Sequence, residues 1–192
     1  MRKLLSFMAS VILLIGSFAA ALWLISILLE PKPFGEPVAP DPELFDDPVV
    51  QVYGANVWGT RGRFAIHTWV ALKGRGAETY EIYQVIGWRK RRGRPVLSIS
   101  EGQPDKPWYG SPPILLHEKR GAEANSLLDP IRAAVASYPY PDDYKMFPGP
   151  NSNSFVAWIA LEVPELGLYL PAKALGRTWM NWTYDDHGAS AD

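Results

Sequence analysis

Few side chains in this sequence are equipped for chemistry, and two groups of them stand out by position. His67 lies inside an apolar run, Phe64-Ala65-Ile66-His67-Thr68-Trp69-Val70. A histidine there can act as a general base near neutral pH, or simply sit half-buried with one backbone partner. Ser152 and Ser154 alternate with Asn151 and Asn153 just after Phe147-Pro148-Gly149-Pro150, where an apolar helix begins. Asn and Ser accept the unpaired N–H groups of a first helical turn, so capping is one reading of the run. The same place suits a nucleophile, because free amides and the positive end of the helix dipole stabilise a developing oxyanion. The chain has no cysteine, which removes disulfides, thiolate metal sites and thiol nucleophiles. Its three histidines, His67, His117 and His187, lack metal-ligand spacing, so neither a metal nor a cofactor is expected, and the latter two read as surface residues.

The elements that must position these groups follow from periodicity. Val49–Tyr53, Arg63–Leu72, Tyr80–Ile86 and Pro95–Ser100 are β-rich runs separated by short turns, which predicts antiparallel neighbours. Ala122–Ser137 places Leu127, Leu128, Ile131 and Val135 at helical spacing, with Pro130 implying a kink or a late start. A second helix opens at Ser152, buries Phe155, Val156, Ile159 and Val163 on one face, and is closed by Pro164. The fold class is therefore α+β, an antiparallel sheet packed on helices, over residues 49–180. Residues 181–192 read as a polar tail.

Before this domain, Leu4–Leu29 is uncharged and mostly apolar. At roughly 1.5 Å per residue it reaches about 39 Å, enough to cross a hydrocarbon core of about 30 Å with tilt. A cleaved signal is the alternative, with Ala19-Ala20-Ala21 as a tempting cut. The apolar run continues through Trp23, Ile25 and Leu28, which favours a retained anchor over residues 1–29. Arg2 and Lys3 precede it, and by the positive-inside rule they stay cytoplasmic. The expectation is a single-pass protein of a bacterial inner membrane with its domain on the periplasmic side. Residues 30–48 hold six prolines and scattered acids and read as an extended spacer. All 20 acidic residues follow the anchor, so the rest of the chain is slightly negative, and no nucleic-acid partner is expected.

The order of these elements carries a resemblance. Asn151-Ser152-Asn153-Ser154-Phe155-Val156, preceded by a strand histidine, resembles the nucleophile-helix start of circularly permuted NlpC-type papain-like hydrolases and acyltransferases. In that likeness Ser152 takes the cysteine position and His67 is its base; the domain would cleave or transfer an amide or ester of an envelope peptide, peptidoglycan or lipid. Serine for cysteine is a departure, because a hydroxyl needs a base within hydrogen-bond reach. A turn through Gly74–Ala77 would place Gln84 or Tyr83 to orient the imidazole, with Glu81 less well placed. Asn151, Asn153, Ser154, Tyr83 and Trp69 would line the binding cleft. The Cys-to-Ser change equally suits an inactive domain that binds an envelope ligand or protein partner in the same cleft. The soluble part also resembles an uncharacterised bacterial family of membrane-anchored domains of unknown function. The stretches that carry this are Tyr53-Gly54-Ala55, Phe64–Trp69, Val85–Trp88, Ala134–Tyr140 and Gly149–Trp158.

Two further features are ambiguous from residues alone. Arg89-Lys90-Arg91-Arg92-Gly93-Arg94 is either a solvated turn or an anionic contact, with the turn favoured. Trp58, Trp69, Trp88 and Trp158 read as core or cleft walls, and Trp108-Tyr109-Gly110 as a cleft lining or a membrane-interface contact.

Overall fold

A computed structural model describes residues 15–21 and 38–180. Residues 15–21 are helical and belong to a first unit, Met1–Phe34; all other described residues lie in a second, Gly35–Asp192. Among the described residues no helix is long and apolar enough to cross a membrane. Apart from 15–21, the expected anchor Leu4–Leu29 lies outside the described residues, as does the tail from 181.

The second unit is α+β, built on a five-stranded antiparallel sheet. The strands are β1 (Val49–Asn56), β2 (Ile66–Lys73), β3 (Tyr80–Val85), β4 (Leu97–Gly102) and β5 (Ile114–Arg120), in spatial order β4-β3-β2-β1-β5. The first four form a meander, each pairing antiparallel with the next. β5 returns to the free side of β1, with Val49 opposite Arg120 and a bulge at Val52/Tyr53. Two helices follow, α1 (Gly121–Ala136) and α2 (Ser152–Glu162). Pro130 is accommodated inside α1.

Strand alternation gives the sheet two covered faces. Val50, Val52, Val70, Leu72, Tyr83 and Val85 meet the helices through Leu127, Ile131, Phe155 and Ile159. α2 is buried all round over Ser152–Ile159, so it forms the centre of the core, beyond the single apolar face its sequence suggested. Met180 joins this core, so the ordered domain reaches at least to the last described residue.

The opposite face carries Val49, Tyr53, Ala55, Trp69, Ala71 and Tyr80, covered by Ala39, Phe45 and Trp108. This corrects the reading of 30–48 as a free spacer over its described part. Asp105 accepts hydrogen bonds from the amides of Val38 (2.7 Å) and Ala39 (2.9 Å), and Tyr80 Oη donates to the Pro40 carbonyl (2.9 Å). Lys73, fully buried, donates to the Asp47 carbonyl at 3.3 Å. Residues 38–48 thus form a strap sealed onto the sheet.

Candidate functional site

The expected pairing of His67 with Ser152 is decided by the parity of β2. Successive strand side chains point to opposite faces. Thr68, Val70 and Leu72 face the helices, whereas His67, Trp69 and Ala71 face away from them. The start of α2 docks on the Thr68 side: Thr68 Oγ1 donates to the Ser152 carbonyl (3.2 Å) and to Asn153 Oδ1 (3.0 Å). The sheet therefore lies between the imidazole and the start of α2, and no hydrogen bond joins His67 to Ser152.

The space where an oxyanion would sit is occupied by the chain's own side chain. Asn151 Oδ1 accepts from the amides of Asn153 (2.9 Å) and Ser154 (3.1 Å), while Ser154 Oγ accepts from the Asn151 amide (3.2 Å). This reciprocal capping box uses the Asn153 and Ser154 amides, two of the first-turn donors open to an oxyanion. Asn151 Nδ2 also donates to the carbonyls of Met146 (2.9 Å) and Leu175 (3.1 Å), and Asn153 Nδ2 to Ile66 (3.1 Å) and Leu175 (2.9 Å). Gly176 closes the remaining room: a Cβ there would come within 2.5 Å of both Asn151 Nδ2 and the Pro148 carbonyl oxygen. Asn151, Asn153 and Ser154, expected in a binding cleft, instead knot helix, strand and C-terminal loop together.

His67 does meet Gln84. Its Nε2 lies 3.1 Å from Gln84 Oε1; a carbonyl oxygen accepts, so Nε2 carries the proton. The ring is 6 % exposed and lies flat against Trp108, centroids 3.7 Å apart at 5°. Burial pushes the His67 pKa down to about 4, against the opposing effect of the Gln84 bond, so the ring is neutral at physiological pH. Trp69 stacks behind His67 at 5.8 Å and donates from Nε1 to the Pro104 carbonyl (2.9 Å). Tyr83 cannot orient the imidazole, because it points to the helix face. There its hydroxyl donates to Glu81, which also pairs with Arg132 of α1 at 3.1 Å. The arginine and tyrosine bonds hold the Glu81 carboxyl below its ordinary pKa.

In front of Gln84 lies an open cleft of about 250 Å³, walled by Trp69, Ile82 and Trp108 and rimmed by Ser100, Gln103 and Lys106. Of these, sequence reasoning named Gln84 and Trp69, and flagged Trp108 as a possible cleft residue; the strand-end and loop residues Ser100, Gln103 and Lys106 carry no local signal. With its carbonyl held by His67, Gln84 has an amide NH₂ that is free of that contact and can donate. The expectation that Trp58 packs in the core or a cleft wall is overturned in part: it is 76 % exposed at the edge of a second hollow, of about 410 Å³. His117 is a half-buried residue: its Nε2 is covered without a hydrogen-bond partner, and burial lowers its pKa.

The fold and this cleft define a small α+β domain with helices on one face of an antiparallel sheet and an aromatic-walled cleft on the other. The chain belongs to a family described as proteins of unknown function, DUF3750, whose model matches residues 47–179. No curated protein and no solved structure matches it.

Proposed function

We propose that this domain is a binding module of the cell envelope, and that its ligand, a peptidoglycan-type glycan or peptide, lies in the cleft before Gln84 and Trp108. The observation that carries the reading is the clamp on His67. A neutral ring held flat against Trp108 fixes the Gln84 amide at the cleft without supplying a charge or an exposed base. An indole plane next to amide, hydroxyl and ammonium donors suits a sugar ring with acylamino substituents, or a peptide backbone. Catalysis by Ser152 has the weaker support, since the Asn153 and Ser154 amides beside it are used by Asn151 and its backbone docks on the face of the sheet opposite to His67.

Muramyl dipeptide and N-acetylglucosamine oligomers, titrated against the protein labelled at its tryptophan and glutamine side chains, should shift the Trp108 indole and Gln84 amide resonances. Both shifts should vanish in Trp108→Ala. No shift at millimolar ligand would overturn the reading. A fluorophosphonate adduct on Ser152 would restore the hydrolase.

The apolar run Leu4–Leu29, flanked by Arg2 and Lys3, supports a second element of the proposal: a single-pass tether in a bacterial inner membrane with the domain on the periplasmic side. Alkaline phosphatase fused after Asp192 should then be active, and a fluorescent protein that matures only in the cytoplasm should be dark. The reverse pair of results would place the domain inside.

A further inference from the structure

The formal net charge of the chain is −1, yet its charge is sharply divided in space. One end of the sheet is where β1 and β3 finish and β2, β4 and β5 begin. The segments there are 57–64, 87–95, 107–113, 144–150 and 172–177. None contains an aspartate or glutamate, and together they hold ten of the chain's 19 lysines and arginines. Contacts show that they form one surface. Arg61 Nη1 reaches Met146 Sδ at 3.5 Å, the Ile66 amide donates to the Lys173 carbonyl at 3.1 Å, and Trp88 meets Tyr109 edge-on at 5.2 Å. Tyr144 packs so closely on Gly87 that a Cβ there would come within 2.5 Å of its ring. The acids Asp142 and Asp143 border the surface, and Asp143 is paired with Lys90 at 2.8 Å.

The same end carries several of the large apolar side chains that the fold leaves in water. Trp58 is 76 % exposed, Phe64 and Phe147 are each 72 % exposed, and Met146 and Tyr109 project beside them. They come from three connections, Trp58 and Phe64 from one, Met146 and Phe147 from another and Tyr109 from a third, and all stay exposed. Behind them, Arg63 and Lys173 line the 410 Å³ hollow between Trp58 and Tyr109. The basic turn Gly87–Arg92 is a short 3₁₀ helix capped by Gly93 in the left-handed region, so Arg91, Arg92 and Arg94 stand out from a rigid backbone. Several exposed aromatic tips with guanidinium groups set behind them match the interfacial zone of a bilayer. Rings enter the headgroup–acyl boundary there, while cations meet anionic lipid phosphates.

We infer that this end of the domain is a docking surface for an anionic lipid bilayer, with Trp58, Phe64 and Phe147 entering the interface and Arg63, Lys173 and the Arg91–Arg94 turn holding headgroup phosphates. This goes beyond the ligand proposed for the cleft and does not rest on it. A nucleic acid or soluble polyanion could use the cations, but it offers no apolar layer to bury Met146 and Phe147.

Because the chain has no cysteine, single cysteines report cleanly on depth. The full-length chain carrying Phe64→Cys, Phe147→Cys or Glu78→Cys, each labelled with an environment-sensitive dye, is reconstituted into vesicles with and without phosphatidylglycerol. Glu78 is exposed in the β2–β3 turn at the other end of the sheet. Dyes at 64 and 147 should shift to the blue and be quenched by brominated acyl chains in the anionic vesicles, and the dye at 78 should not. Adding Arg91→Glu and Arg92→Glu should lower the docked-to-free ratio by about fivefold for each cation lost, and more for the reversal. Equal behaviour at all three positions, quenched or not, overturns the proposal. So does a response of dyes 64 and 147 to polyphosphate or single-stranded DNA with none to lipid. Vesicle docking that persists when muramyl ligands fail to bind would separate this surface from the cleft.

Discussion

Replacing His67 with phenylalanine should turn acid sensitivity into acid tolerance, with a crossing of the two stability curves. The imidazole titrates near 6.5 when free and near 4 in the fold, lowered by burial. The unfolded chain therefore binds the proton more readily, and stability falls as pH drops from 6.5 towards 4. Full stability from this group is present above 6.5 and is lost through that window. Integrating over the two pKa values gives a loss of about 2 kcal/mol at pH 5 and about 3 kcal/mol at pH 4. Phenylalanine keeps the flat contact with Trp108 but strands the Gln84 carbonyl, a cost of about 1–2 kcal/mol at every pH. The variant should thus be less stable at pH 7 and more stable at pH 4, with the curves meeting between pH 5 and 6. Carboxylates titrate alike in both chains and cancel in the difference. Urea unfolding followed by the near-ultraviolet circular dichroism of the tryptophans measures this. Parallel curves from pH 7 to 4 would refute the buried, neutral histidine and with it the Gln84 clamp.

The start of α2 offers a contrast between two adjacent residues. Asn151→Ala removes a cap and two further carbonyl ties, so it should cost about 3 kcal/mol in urea unfolding. Ser152→Ala should cost under about 1 kcal/mol, because only its backbone carbonyl is bonded to Thr68. Gly176→Ala should be as damaging as Asn151→Ala, since φ is +92° and the new Cβ would strike Asn151 and Pro148. Gly93→Ala, at φ +63° in open space, should cost only about 1 kcal/mol by the same assay.

Most of the framework was legible because local chemistry and global packing agree in it. Val49–Tyr53, Tyr80–Ile86 and Ala122–Ser137 each carry a periodicity that their final environment preserves, and the observed limits differ by at most three residues. β5 was not legible. Ile114–Arg120 reads Ile-Leu-Leu-His-Glu-Lys-Arg, apolar for half its length and charged for the rest, because it is an edge strand with few fully covered side chains. Its partner β1 lies more than fifty residues earlier, and no turn signals a pairing that distant. The strap was hidden for a related reason. Its three prolines, Pro40, Pro42 and Pro48, exclude regular structure but not burial, and Ala39 and Phe45 supply the apolar contacts that hold it down.

The site failed at a different level, and the failure is instructive about what a short apolar run can encode. In an alternating strand, polarity tells which residues face the core, and a single polar residue then has a definite side. Ile66-His67-Thr68-Trp69-Val70-Ala71-Leu72 does not alternate, because both faces of β2 are covered: one by helices, the other by the strap and the Trp108 loop. A strand buried on both sides carries no parity signal, so His67 and Thr68 were equally eligible to face Ser152. Thr68 took that place, where a short hydroxyl fits against the tightly bonded first turn of α2. The larger imidazole took the side where a flat indole and an amide could accommodate it. One step of parity moves the candidate site from the helix tip to the opposite face of the sheet, and it turns a would-be catalytic base into the support for Gln84.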